Sequence, residues 1–186
     1  MKKIVVAIVA LAMMVSAIAA MAQSEKAFSI TPRLAYNWVT NSDSRDAMGH
    51  QFGVLADVDI ASLPVGFEVG YMYGSKTQDV VDGLPWTDYK TKVQSIPVMV
   101  TYAYPFAEKF YAKVGAGVAF EKGKVTYKDA ILKEYDETEN KTNFAYKLGL
   151  GWNFLPNWSA EVFFNDFGKI SSYKTQGIQL NVGYTF

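Results

Sequence analysis

The sequence predicts an all-β fold, an eight-stranded antiparallel transmembrane β-barrel preceded by a cleavable signal peptide, on three observations. An apolar segment flanked by lysines and small residues opens the chain, apolar and polar residues alternate with period two through the remainder, and short proline-bearing connections alternate with long polar ones.

The opening element reads Met1-Lys2-Lys3, then an apolar stretch from Ile4 to about Ile18, then Ala20-Met21-Ala22. That is the basic, apolar and small-residue order of an export signal. Residues 1–22 are assigned to it, and cleavage after Ala22 leaves Gln23 at the head of a barrel domain over residues 23–186. Beyond this segment no apolar run approaches the roughly 20 residues a membrane helix needs, so membrane insertion must use strands. The chain's 18 basic and 18 acidic side chains balance, which gives no electrostatic reason to expect a nucleic-acid partner. Cysteine is absent, which excludes disulfides, thiolate metal sites, a cysteine nucleophile and a lipid-modified N-terminal cysteine.

Strand by strand, the alternation separates two faces. Phe28, Ile30, Leu34, Tyr36 and Trp38 oppose Ser29, Thr31, Arg33, Ala35 and Asn37. Phe52, Val54, Ala56, Val58 and Ile60 oppose Gln51, Gly53, Asp57 and Asp59, and Val65, Phe67, Val69, Tyr71 and Tyr73 oppose Gly66, Glu68, Gly70 and Met72. A fourth run, starting near Tyr89, has Ile96, Val98, Val100 and Tyr102 on its apolar face. The fifth sets Phe110, Ala112, Val114, Ala116, Val118 and Phe120 against Tyr111, Lys113, Gly115, Gly117 and Ala119. Phe144 to Phe154, Trp158 to Phe164 and Ile178 to Phe186 repeat the rule, giving about eight strands of membrane-crossing length.

The minority face decides which side meets lipid. It carries Arg33, Asp57, Asp59, Glu68, Lys113, Lys147 and Glu161 among many glycines, too sparse a polar set for a water-exposed surface but suited to a narrow lumen. Each basic residue would cost roughly 2–4 kcal/mol facing lipid near the midplane. Turned inward, the opposite charges can pair into a lumen network while the glycines leave room for long side chains.

Short connections fall at Ser62-Leu63-Pro64, Tyr104 to Glu108 and Leu155-Pro156-Asn157. Long polar loops are expected over about Thr40 to Gly49, Gly74 to Asp88, Lys122 to Lys141 and Asp166 to Lys174, on the extracellular side, with both chain ends periplasmic. Aromatic residues gather near strand ends, with Phe110, Phe154, Trp158 and Phe186 at one level and Trp38, Phe120, Phe144 and Phe164 at the other. Pro32 and Pro97 interrupt strands, so a bulge or shifted boundary is expected near each, moving the register by about a residue or two.

The export segment, the repeated Tyr- and Phe-ending strands, the run from Phe110 to Val118 and the ending Gly183-Tyr184-Thr185-Phe186 together resemble the outer-membrane β-barrel domain family. Small members of that family, similar to OmpX or the OmpA barrel, have eight strands, as the alternation here predicts. The resemblance implies a place in the bacterial outer membrane, contact with its lipid and lipopolysaccharide, and insertion by the barrel assembly machinery, with Tyr184 and Phe186 matching the C-terminal aromatic signal.

Chemistry is sparse. His50 is the single histidine, and Ser42, Asp43, Ser44 and Asp46 lie near it, yet sequence proximity in a polar loop does not make a triad, which is recognised by geometry. Gly115-Ala116-Gly117 and Gly149-Leu150-Gly151 lack the strand-to-helix setting and the lysine of a phosphate loop and read as small lumen residues. No catalytic residue, cofactor or metal is assigned. The expected function is a non-enzymatic barrel for envelope integrity or for surface contact and adhesion, its loops meeting a ligand of unknown identity. A narrow pore or small-molecule transporter is the alternative, and a lipid-modifying rim enzyme ranks below both.

Overall fold

The computed structural model describes residues 28–60, 64–79, 86–129 and 134–186. The expected signal peptide, residues 1–22, and the boundary before Gln23 lie outside the described residues. Eight strands follow in order: β1 (Phe28–Val39), β2 (Gln51–Ile60), β3 (Val65–Asp79), β4 (Trp86–Ala107), β5 (Phe110–Asp129), β6 (Glu134–Leu155), β7 (Trp158–Ile170) and β8 (Tyr173–Tyr184). Each pairs antiparallel with its sequence neighbours, and β1 pairs with β8, so the sheet closes without an edge.

Alternation sets the two faces as the sequence requires. Arg33 is 5 % exposed while the adjacent Leu34 is 71 % exposed. Phe52, Phe144 and Leu148 stand outside in the same way, whereas Asp57, Glu68, Lys113, Lys147 and Glu161 are buried. A wall so apolar around an interior so polar suits a hydrocarbon surrounding and would aggregate in water.

The two prolines leave the register intact, against the expectation of a bulge. Pro32 pairs with Ala56, while the β1·β8 pairs begin one residue later at Arg33↔Gly183, so no β8 partner is registered for the residue without an amide. Around Pro97 the β3·β4 ladder passes from Val69↔Val98 to Met72↔Ser95 in one register, and the β4·β5 ladder runs through Pro97↔Ala119. The register shifts lie elsewhere, beside tight turns between Pro105 and Ala107 and between Asn153 and Leu155, and on the ribbon side between Trp86 and Asp88 and between Asp166 and Lys169.

Much of what the sequence suggests as loop is strand. Pairing continues to Asp79↔Asp88 between β3 and β4 and to Lys128↔Glu134 between β5 and β6, so long ribbons project beyond the apolar wall. Their residues include Val125, Thr126, Tyr127 and Thr138, which favour strands, and their charges alternate because water meets both faces there. Lys124 Nζ lies 2.7 Å from Asp136 across one ribbon.

The first long connection is also ordered, as helix α1 (Ser42–Met48). The Asn41 side chain caps it by accepting from the Ser44 amide at 2.9 Å, and Gly49, with φ 71, donates its amide to Arg45 O to end it. The Lys174 amide donates to Ser44 Oγ at 2.8 Å, fastening α1 to β8. Buried Met48 then packs with Val39, Val93 and Ile170 as a lid across the ribbon end.

Candidate functional site

The interior is the first candidate, built from inward positions on all eight strands. Closest to the turn end, Thr31 and Thr185 share a hydrogen bond of 2.8 Å across the seam between the first strand and the C-terminus. Above it lies a four-membered ionic cluster. Asp57 accepts from Arg33 Nε and from Lys113 Nζ, the latter at 2.8 Å. Glu161 Oε1 lies 3.1 Å from Arg33 Nη2 and 3.6 Å from Lys113 Nζ. Two cations thus face two carboxylates and the cluster is neutral as a unit. Such balance is what a low-dielectric interior demands, because an unpaired charge there costs several kcal/mol.

Neutral groups complete the cluster. Arg33 Nη1 donates to Ser159 Oγ at 2.7 Å, Tyr111 donates its phenol to Glu161 at 2.8 Å, and Asn181 Nδ2 donates to the other Glu161 oxygen at 3.1 Å. A second pair, Lys147 with Glu68, crosses from β6 to β3, and the Lys147 ammonium stands 4.3 Å from the Phe163 ring centroid. Beside these lie Leu55, Met72, Met99 and Phe167, and a run of amides in which Asn37 donates to Gln51, Asn165 to Gln179 and Gln179 to Asn181, which joins the run to the ionic cluster. The lid of Val39, Met48, Val93 and Ile170 closes the stack.

Of the seven residues expected in the lumen, the structure brings Arg33, Asp57, Lys113 and Glu161 together and joins Glu68 to Lys147. Asp59 is half-buried near the turn end and pairs with no described residue. Glycine placement explains how so many long side chains fit. Arg33 faces Gly183, Lys113 faces Gly149, Lys147 faces Gly115 and Glu161 faces Gly151 across their ladders. A Cβ on Gly151 would collide with the Tyr111 ring, and one on Gly149 with Phe163.

Sequence reasoning missed Tyr111, Ser159, Asn181 and Glu121. The first three stand on the inward face of recognised strands, so the alternation carried their signal. Glu121 continues that face one step past the assumed end of β5 at Phe120, where it accepts from Ser95 Oγ at 3.0 Å and from Asn143 Nδ2 at 2.7 Å.

No hydrogen bond joins His50 to a hydroxyl among the described residues. Its ring lies 5.7 Å from Tyr36 and 5.2 Å from Trp38, and the Ser44 hydroxyl is engaged with Asn41 and Lys174. At the turn end the aromatic residues form a continuous belt. Phe110 stacks on Trp152 at 6.2 Å, Trp152 meets Phe154, Phe154 meets Trp158, and Trp158 meets Tyr184 at 5.3 Å, which meets Phe186 at 5.0 Å. Phe186 also donates its amide to Ile30 O at 3.1 Å, so the terminal residue is tied to β1.

Solved structures of the same architecture are similar to this chain. Ail, the attachment invasion locus protein of Yersinia pestis, superposes with a TM-score of 0.57 at 17 % identity, over 86 % of this chain and 96 % of that one. Neisserial surface protein A gives 0.54 at 17 % identity over 86 % and 96 %. The N-terminal β-barrel domain of Pseudomonas aeruginosa OprF gives 0.52 at 14 % identity over 85 % and 97 %. No curated protein sequence matches the chain. The family described as outer membrane protein beta-barrel domain matches residues 7–186, and with eight strands closed around a charged interior the chain belongs to that family.

Proposed function

We propose that this protein is a non-enzymatic outer-membrane barrel whose ion-paired interior stiffens it and whose projecting ribbons present a surface for envelope or adhesive contacts. The observation that carries this reading is the filled axis. Ionic, amide and apolar groups fill it from Arg33 to Met48 with nearly inaccessible side chains. An eight-stranded barrel has room mainly for its own side chains, so such an interior is a strut rather than a conduit.

Short turns at one end and long ribbons at the other support an orientation with the ribbons outside the cell, the lipid-facing band in contact with phospholipid and lipopolysaccharide, and the termini in the periplasm. Tyr184 and Phe186, joined to the aromatic belt at the end of the last strand, fit the C-terminal aromatic signal expected to be read by the assembly machinery. The packing of His50 against Tyr36 and Trp38, with the Ser44 hydroxyl engaged by Asn41 and Lys174, supports a non-enzymatic role. Ail, of the same fold, is named for attachment and was solved with a heparin analogue, which is the class of extracellular contact proposed here.

Ion conductance across planar bilayers containing the folded protein tests this reading. A correctly inserted, silent barrel is the expected result. Reproducible discrete channels would overturn it in favour of a narrow pore, with Arg33, Lys113 and Lys147 as the residues to replace for selectivity.

A further inference from the structure

A recess of about 580 Å³ opens above the lid, between the ribbons and the β7·β8 turn. That volume falls within the roughly 300–1,000 Å³ of small-molecule sites. Its base is apolar, formed in part by Val93 and Ile170 of the lid, so it is a cup with a closed bottom. Three tyrosines, Tyr89, Tyr127 and Tyr173, line it together with two carboxylates, Glu137 and Glu139. Among the described lining residues there is no lysine or arginine.

One arrangement points to an occupant. The Tyr89 and Tyr127 rings stack with centroids 6.3 Å apart, and tyrosine faces attract cations through the ring quadrupole. Burial, with Glu137 and Tyr173 nearby, holds the Tyr127 phenol above its ordinary range, so it stays neutral. A sulfated or phosphorylated ligand would meet two carboxylates and no base, while a neutral ligand would leave those carboxylates without a counter-charge.

We propose that this cup binds a small organic cation, its ammonium or quaternary ammonium group seated against the tyrosine rings with Glu137 and Glu139 as counter-charge. The proposal rests on the reading that the ribbon end faces the exterior. It stands whether or not the barrel conducts, since the cup lies above the lid.

Calorimetric titration tests it on the protein extracted from outer membranes into a polyoxyethylene detergent, which carries no ammonium headgroup. The probes are choline, tetramethylammonium, glucose and glucose 6-phosphate. Choline should bind at least about tenfold more tightly than glucose, and Glu137→Gln and Tyr127→Leu should each weaken it by about tenfold. Tetramethylammonium should bind within about tenfold of choline, because the cationic group is what the cup recognises. Lys109→Gln, at the opposite end, should alter nothing. Retained heat-modifiable migration on gels shows that each variant is folded. Glucose or glucose 6-phosphate binding as tightly as choline, a folded Glu137→Gln with unchanged affinity, or no heat with choline would each overturn the proposal, and none of these results bears on conductance.

Discussion

Lys147 on β6 reaches across the barrel to ion-pair with Glu68 on β3, two strands that are not neighbours in the sheet. Replacing Lys147 with Met leaves Glu68 buried without a partner, which should cost roughly 3–5 kcal/mol. The double variant Lys147→Met, Glu68→Leu should recover most of that loss, because no charge is then stranded. Urea unfolding in lipid vesicles, followed by tryptophan fluorescence, measures both. Equal destabilisation of the single and double variants would show that the pair is not the source.

Lys113 touches both carboxylates of the ionic cluster, whereas Ser159 contributes one neutral hydrogen bond to Arg33. Lys113→Ala should therefore lower stability by roughly 3–5 kcal/mol, against about 1 kcal/mol for Ser159→Ala. The same unfolding assay ranks them, and an unchanged midpoint for Lys113→Ala would remove the cluster from the account of stability.

Gly151 is covered by the Tyr111 ring. Gly151→Ala should destabilise by roughly 1–3 kcal/mol through overpacking. In a Tyr111→Ala background the same change should cost much less, since the collision is gone. Additive losses in this cycle would place the strain elsewhere.

Leu34 faces outward at 71 % exposure beside inward Arg33. Leu34→Arg should cost roughly 2–4 kcal/mol if its level is near the bilayer midplane and nearer 0–1 kcal/mol at an interface. Measured against the same change at Leu148 and Val182, it maps the depth of the apolar band. A uniform absence of effect would contradict a lipid-facing wall.

His50 has a pKa below its ordinary value of 6.5, chiefly through burial, with Arg45 and Lys76 adding repulsion. The folded state therefore favours neutral imidazole. Its contribution is fully present above the unfolded pKa and is lost as pH falls from there through the lowered folded pKa. Unfolding midpoints taken between about pH 7.5 and about pH 5 should fall for the native protein and fall less for His50→Gln. Identical slopes for the two proteins would exclude His50 as the source.

Strand positions and facing were legible because two different surroundings, hydrocarbon outside and packed polar groups inside, impose opposite chemistry on alternate residues. Arg33 beside Leu34 needs no structure to be read. The length of the ribbons was not legible, since water wets both faces beyond Gln94 and Lys122 and the contrast disappears. Helix α1 was signalled by Asn41 and Gly49 at its two ends, but a seven-residue helix has too few turns to show periodicity. Which charges meet depends on the stagger of the closed sheet. Glu68 and Lys147 are 79 residues apart, and nothing local fixes that they share a level.

The ionic cluster draws its members from β1, β2, β5 and β7, with Asn181 of β8 bound to it, so it is assembled from both sides of the seam where the first strand meets the last. Arg33 and Ser159, 126 residues apart, can meet only once that seam is shut. An open curl of strands in the membrane would hold Arg33 and Glu161 without each other, a state that hydrocarbon penalises heavily. The cluster therefore acts as a latch: it favours the shut ring over an open curl of strands, so the same charges that stiffen the finished barrel also keep its first and last strands together.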